Sequence, residues 1–144
     1  MLYTKHFILN TINNMSTEAA NKDILRGGQF LVKETNCEDV FTLEDLNEEQ
    51  RMMRESTKEF VDRELWAHWE RFEKKDYAFT EETMRKAGEL GLLSVAVPES
   101  YGGMGMGFVS TMLVCDYISG ATGSFSTAFG AHTGIGTMPI TLYG

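Results

Sequence analysis

Several groups of residues have the types and spacing to carry chemistry. The run Gly102-Gly103-Met104-Gly105-Met106-Gly107 is dense in glycine, as phosphate-cradling loops are. It lacks the third glycine of G-x-G-x-x-G and no Gly-Lys-Ser/Thr triplet follows, so its glycines are expected to serve a chain reversal rather than a nucleotide. Glu64 and His68 stand one helical turn apart, which raises a carboxylate-bridged di-iron site. Such a site takes Glu-x-x-His from each of two helices plus two more glutamates; here the spacing is one residue too long and no second histidine partners it from another helix. His68, between Trp66 and Trp69, is expected in a half-buried aromatic patch, and the solitary His132 in a hydrogen-bonded packing role. No G-x-S-x-G motif surrounds Ser110, Ser119, Ser124 or Ser126, so no acyl-transfer nucleophile is read. Cys37 and Cys115, with no further cysteine, supply neither a disulfide framework nor a four-thiolate zinc site and fit a reducing compartment.

The remaining grouping is steric. Ser126, Gly130 and Gly134 recur every four residues and stack along one helix face with almost no side-chain volume, bordered by Phe125, Phe129 and Met138. Two readings follow. The face is a seat for a closely packed helix, or it is a groove left open for something long and apolar such as an acyl chain.

Composition bounds what these residues can belong to. The chain has 144 residues, 42% of them apolar, about one domain with material for a real core. Thirteen lysines and arginines against 21 aspartates and glutamates leave a net charge of −8, which disfavours a surface that tracks nucleic acid. No stretch approaches the ~18 consecutive apolar residues of a membrane-spanning helix. Residues 1–14 carry neither the apolar core nor the cleavage site of a signal peptide, and the start-like Met15-Ser16-Thr17 points to translation from Met15.

The elements that must position the candidate residues read as helices. Residues 16–42 are polar and irregular, with Phe30-Leu31-Val32 as one apolar patch able to lie against a neighbour. Residues 1–41 are therefore expected to be an arm, ahead of a domain over 42–144. Asn47 is an N-cap type followed by Glu48 and Glu49, and Met53, Phe60, Val61, Leu65, Trp69 and Phe72 repeat at helical steps, with Thr57 filling the one gap. A second helix is expected from Thr80 as cap, with Met84, Ala87 and Leu90 inward and Gly91 as stop. Val109, Met112, Leu113, Asp116 and Tyr117 mark one side of a third. Ser124 caps a fourth through Phe125, Thr127, Phe129 and Ala131, and Met138-Pro139 opens a last short piece. No alternating pattern exceeds residues 94–97, so the fold class is all-α.

In order along the chain, Glu48-Glu49-Gln50-Arg51-Met52, Leu90-Gly91-Leu92-Leu93, Val97-Pro98-Glu99-Ser100-Tyr101-Gly102-Gly103 with Gly105, Gly130-Ala131-His132, and Pro139-Ile140 before Tyr143-Gly144 resemble the N-terminal helical domain of the acyl-CoA dehydrogenases, over residues 41–144. The Gly-Ala-His stretch is similar to the long-chain branch, and Asp116 stands where the family more often has glutamate. The resemblance implies FAD as cofactor, a fatty acyl-CoA substrate, an electron-transfer flavoprotein partner, a homo-oligomer, fatty acid β-oxidation and a cytoplasmic setting. It implies loss of an α-proton to a carboxylate and of a β-hydride to flavin. The flavin-binding and catalytic domains fall outside this chain, so no catalytic residue is assigned and the chain alone is expected to be inactive and colourless. Tyr101, Ser126, Gly130 and Gly134 become the candidate wall of the acyl cavity. The alternative from another class is a non-enzymatic helical module that docks a partner helix in the small-residue groove.

Overall fold

The structure, a computed structural model, describes Leu25 and residues 27–144. The expectations for residues 1–14 and for a start at Met15 lie outside the described residues. The chain divides into two compact units, Met1–Arg51 and Met52–Gly144.

In the first unit the described residues form three short 3-10 turns, Gly27–Leu31, Cys37–Asp39 and Leu43–Asp45. The Asp39 carboxylate accepts from the Asn36 backbone N–H at 3.0 Å, and Asp45 does the same for Thr42 at 2.8 Å. Each turn is thereby held by a side chain reaching back over three residues. Helix α1, Glu48–Phe60, begins where Asn47 predicts: the Gln50 N–H donates to Asn47 Oδ1 at 2.8 Å and the Asn47 N–H to Gln50 Oε1 at 3.0 Å. That reciprocal pair satisfies two backbone donors at the helix start.

In the second unit, Met53, Thr57, Phe60, Val61, Leu65 and Phe72 are buried, as their spacing predicts. Thr57 fits an apolar stripe because its hydroxyl donates to the Met53 carbonyl at 2.7 Å, leaving no stranded donor. A π-helical turn, Val61–Leu65, and a 3-10 turn, Trp66–His68, then precede helix α2, Trp69–Glu73. These changes of winding break the 3.6-residue phase. Phe72 returns to the core while Trp69, expected inward, is 49% exposed.

Helix α3, Tyr77–Glu89, starts earlier than expected. Asp76, not Thr80, is its N-cap, accepting from the Phe79 N–H at 3.1 Å, and the Thr80 hydroxyl donates to the Asp76 carbonyl at 3.0 Å. The core explains the shift: Phe79 is the first buried residue of α3, so the helix must already be wound there, with Thr83 and Ala87 following at four-residue steps. Leu90 is exposed rather than inward, and Gly91 ends the helix at φ +79°, as expected.

Helix α4, Phe108–Ser119, buries Ser110, Val114 and Ile118 instead of the side marked by Val109, Met112 and Leu113. It is apolar nearly all round, so several faces match a helical period equally well. Helix α5, Gly123–Gly130, is capped by Thr122, whose hydroxyl accepts from the Phe125 N–H at 3.5 Å. Ser124, the expected cap, instead donates to Glu73 Oε1 at 3.3 Å, as Thr122 does. A π-helical turn, Ala131–Thr137, leads into helix α6, Met138–Tyr143. No strand forms among the described residues, and the fold is all-α.

Phe125 is fully buried at the centre of this core. Its ring lies 5.4 Å from Phe72 and 6.3 Å from both Phe60 and Phe129, and Phe72 in turn lies 5.2 Å from Phe79. Edge-on and tilted contacts of this kind add to the area each ring buries. Phe125→Ala should cost about 3–5 kcal/mol, a large share of a domain's usual stability, read as a lower urea midpoint. A midpoint unchanged within error would show that the cluster does not hold these helices together. At the α3 start, Arg71 and the Phe79 N–H together hold the Asp76 carboxyl below its usual value. Its stabilising effect is present above the unfolded carboxylate range near pH ~4 and fades as pH falls through the lowered folded value. Asp76→Asn keeps a competent cap and should flatten that acid limb in thermal melts taken as a function of pH. An unchanged acid limb would refute this.

Candidate functional site

Between Gly91 and Gly107 the chain folds back on itself without forming a strand. Three backbone bonds pin the return: Met104 N–H to Ser94 O at 3.0 Å, Gly105 N–H to Val97 O at 2.8 Å and Met106 N–H to Val95 O at 2.9 Å. Gly102 and Gly103 donate to Glu99 and Pro98. A Cβ on Gly103 would drive into the Val97 carbonyl, so only glycine permits this approach. From Gly102 through Met106 every N–H is thus spent inside the loop. A phosphate would find no free backbone donor among residues 102–106, so this loop does not supply a cradle for one.

The pinned segment forms one side of an apolar cavity of about 180 Å³. Leu92, Val95 and Val97 line that side, Met112 and Cys115 of α4 a second, and Phe129, Gly130, Gly134 and Met138 a third. The two glycines are brought together on this side, as their spacing predicts. A Cβ built on either meets nothing within 4 Å, so among the described residues neither is packed against a helix. The π-helical turn that carries Gly134 widens the chain at that wall.

The other two candidate residues lie elsewhere. Ser126 is half-buried on α5 with its hydroxyl donating to the Gly123 carbonyl at 3.2 Å, and it is not part of the cavity lining. Tyr101 is 69% exposed on the 3-10 turn Glu99–Tyr101, also away from the lining.

Polar chemistry in the lining is sparse. Thr111 and Thr133 contribute hydroxyls, but each donates to its own helix, to Gly107 O at 3.3 Å and Phe129 O at 2.9 Å. Cys115 is the one titratable lining residue, and burial pushes its thiol above the ordinary value, away from the reactive thiolate. Sequence reasoning missed Cys115 and the 92–97 side. The only signal for that side was the apolar run stopped by Pro98.

Glu64 pairs with Lys86 of α3 at 2.8 Å, raising that ammonium's affinity for its proton, while His68 sits edge-on to the Phe79 ring at 5.3 Å. Trp66 and Trp69 flank His68 half-exposed. His132, expected in a packing role, is exposed, because Phe129 and Thr133 take the inward side of that turn. No cluster of three metal-ligating side chains occurs among the described residues. No helix among them is long and apolar enough to cross a membrane.

Residues 47–144 match the family model described as acyl-CoA dehydrogenase, N-terminal domain. A probable acyl-CoA dehydrogenase of Bacillus subtilis (strain 168) is 37% identical over 130 residues, 90% of this chain and 21% of that protein. Another from the same organism, probable acyl-CoA dehydrogenase YngJ, is 34% identical over 100 residues, 69% of this chain and 26% of that protein. The crystal structure of an acyl-CoA dehydrogenase complexed with FAD from Bacillus anthracis superposes with a TM-score of 0.71 at 40% identity, over 81% of this chain and 20% of that one. More distant relatives bear the names isovaleryl-CoA and glutaryl-CoA dehydrogenase. The chain spans between a fifth and about a quarter of the length of the relatives it matches. With two-thirds of its residues under the family model and the fold reproduced in a solved member, the chain belongs to the acyl-CoA dehydrogenase family, whose N-terminal domain it carries.

Proposed function

We infer that this segment supplies one wall of the acyl-chain cavity in a flavin-dependent acyl-CoA dehydrogenase acting on fatty acyl-CoA. The observation that carries the reading is the open apolar space in front of Gly130 and Gly134, bounded by side chains that offer a ligand no charge and no spare hydroxyl donor. A hydrocarbon tail is the ligand that such a wall suits, since each methylene buried contributes about 0.8 kcal/mol and needs no polar partner. The cavity is smaller than the roughly 300–1,000 Å³ of complete ligand sites, which fits a wall shared with other polypeptide.

In this reading residues 1–41 are an arm and residues 42–144 the helical domain. FAD and the base that takes the α-proton belong to polypeptide outside this segment, and the segment alone does not turn over. Its own residues bind the tail, orient it and keep water from the reacting end. Tyr101 and Ser126, outside the lining, have no part in that wall. The same reading brings an electron-transfer flavoprotein as acceptor, a homo-oligomer, and a cytoplasmic place in fatty acid β-oxidation. Because relatives are named for small acyl groups as well, the depth of the wall at Gly130 is the feature proposed to set chain length.

Gly130→Leu in the full-length protein tests the wall. It replaces a helix-weakening glycine with a good helix former in open space, so thermal stability should hold or rise. Long-chain acyl-CoA should lose about 10-fold or more in kcat/KM, with short-chain substrates little changed. Equal losses at every length would remove the wall reading and favour helix packing. Cys115 supplies an independent readout. Its alkylation at neutral pH should be slower than that of exposed Cys37 and should slow further when a long-chain acyl-CoA is bound. Protection of Cys115 by short and long chains alike would place the tail elsewhere.

A further inference from the structure

Helix α5 carries the open wall, and its first turn is held by a residue outside the cavity lining. Glu73 is the last residue of α2 and is exposed. Its Oε1 accepts from two hydroxyls at the α5 start, those of Thr122 and Ser124, each at 3.3 Å. The adjoining residues meet as well, the Phe72 and Phe125 rings lying edge-on at 5.4 Å. These two contacts constrain different things. Apolar burial is non-directional, so the rings set how closely α2 and α5 approach while leaving room for sliding and rotation. A hydrogen bond needs donor and acceptor aligned, so the Glu73 pair sets the register.

Thr122 is the link between that register and the helix. It is buried, and its hydroxyl has one proton to give and two lone pairs. With the proton directed at Glu73, a lone pair is left for the Phe125 N–H, which it caps at 3.5 Å. Without Glu73 the buried proton must find another acceptor, and the hydroxyl turns its lone pairs away from the cap. Gly130 follows Phe125 by five residues, roughly 7.5 Å along the axis, so a tilt of ~10° at the cap carries Gly130 by roughly 1 Å. A displacement of that size approaches one carbon–carbon bond, the scale on which a packed hydrocarbon tail is sensitive to its wall.

We propose that Glu73 is a positioning residue for the cavity wall: by taking the hydroxyl protons of Thr122 and Ser124 it fixes the orientation of α5 and so the binding of long acyl chains. The proposal rests on the reading of that wall as an acyl-chain surface. Glu73→Ala and Glu73→Gln are made in the full-length protein beside Gly130→Leu, which reports on the wall directly. Hydrogen exchange at the Phe125 amide follows the α5 cap without reference to turnover, and kcat and KM are read across acyl-CoA chain lengths. In Glu73→Ala that amide should exchange about 5-fold faster, as weakening of a cap predicts. KM for long-chain acyl-CoA should rise about 5-fold, with kcat and the short-chain KM changed by less than about 2-fold. Glu73→Gln keeps an oxygen acceptor at the same reach and should restore both readouts. Glu73→Ala combined with Thr122→Ala should do less than the sum of the two, since one acts through the other. Ser124→Ala, which removes one exposed donor, should move both readouts in the same direction and serves if Glu73→Ala does not fold. Unchanged exchange at Phe125, a Glu73→Gln variant that behaves as Glu73→Ala, additive effects in the double variant, or an equal loss at every chain length would overturn the proposal. If Gly130→Leu shifts the chain-length profile and Glu73→Ala does not, the proposal falls alone. If neither shifts it, the wall reading falls and takes the proposal with it.

Discussion

One side of the cavity, residues 92–97, is fixed by hydrogen bonds to the chain that returns past it. Three N–H groups on the returning loop, those of Met104, Gly105 and Met106, bond to carbonyls at 94, 97 and 95, and Gly103 presses against the Val97 backbone where no side chain fits. Leu92 and Val95 of that segment are buried in the same core cluster as Phe129, so the glycine-rich return fixes in place a side that is already packed. Its amides are exhausted in doing so, which is why a motif that suggests phosphate binding in the sequence has nothing left to offer a phosphate in three dimensions.

The opposite wall is kept open by absence of side chains. Gly130 and Gly134 cost α5 and the turn that follows some helical stability, and nothing in the described structure recovers that cost by close packing. The aromatic cluster around Phe125 stands behind them. Phe129 belongs to both, buried against Phe125 on one side and lining the cavity on the other. Substitutions at Phe125 and at Gly130 therefore report on different things, the first on whether the helices assemble and the second on what the assembled helices admit.

What could be read from the sequence follows the same physics. The α1 stripe was legible because polar residues alternate with it and only one face could be buried; the Asn47 cap and the Gly91 stop were legible because each stands alone. Legibility failed where residues compete. Asp76 and Thr80 are both good caps, as are Thr122 and Ser124, and in each pair the earlier one wins because the first phenylalanine of the helix must already point inward. The face of α4 was unreadable because nearly every position is apolar, and burial of Ser110 there obeys no rule of residue type. Of the four candidate wall residues, the two glycines converge on the cavity by periodicity alone. Tyr101 depends on the course of a short 3-10 turn, which local sequence does not dictate.

Charge is distributed unevenly between the helix surfaces and the cavity lining. Lys58 and Asp62 pair on an exposed face, where such pairs contribute little to stability, whereas Lys86 and Glu64 are part-buried and join α3 to the turn Val61–Leu65. The cavity lining carries no carboxylate, histidine or ammonium, and its single thiol is held in the neutral form. A surface of that kind cannot accept a proton at neutral pH, yet it lowers the local dielectric around whatever base is brought to it. A carboxylate facing such a wall would be pushed toward a higher pKa by loss of water and so toward the strength needed to take a proton from the carbon next to a thioester carbonyl. On the proposed reading of the cavity as an acyl-chain wall, these helices would act on that step through an apolar surface.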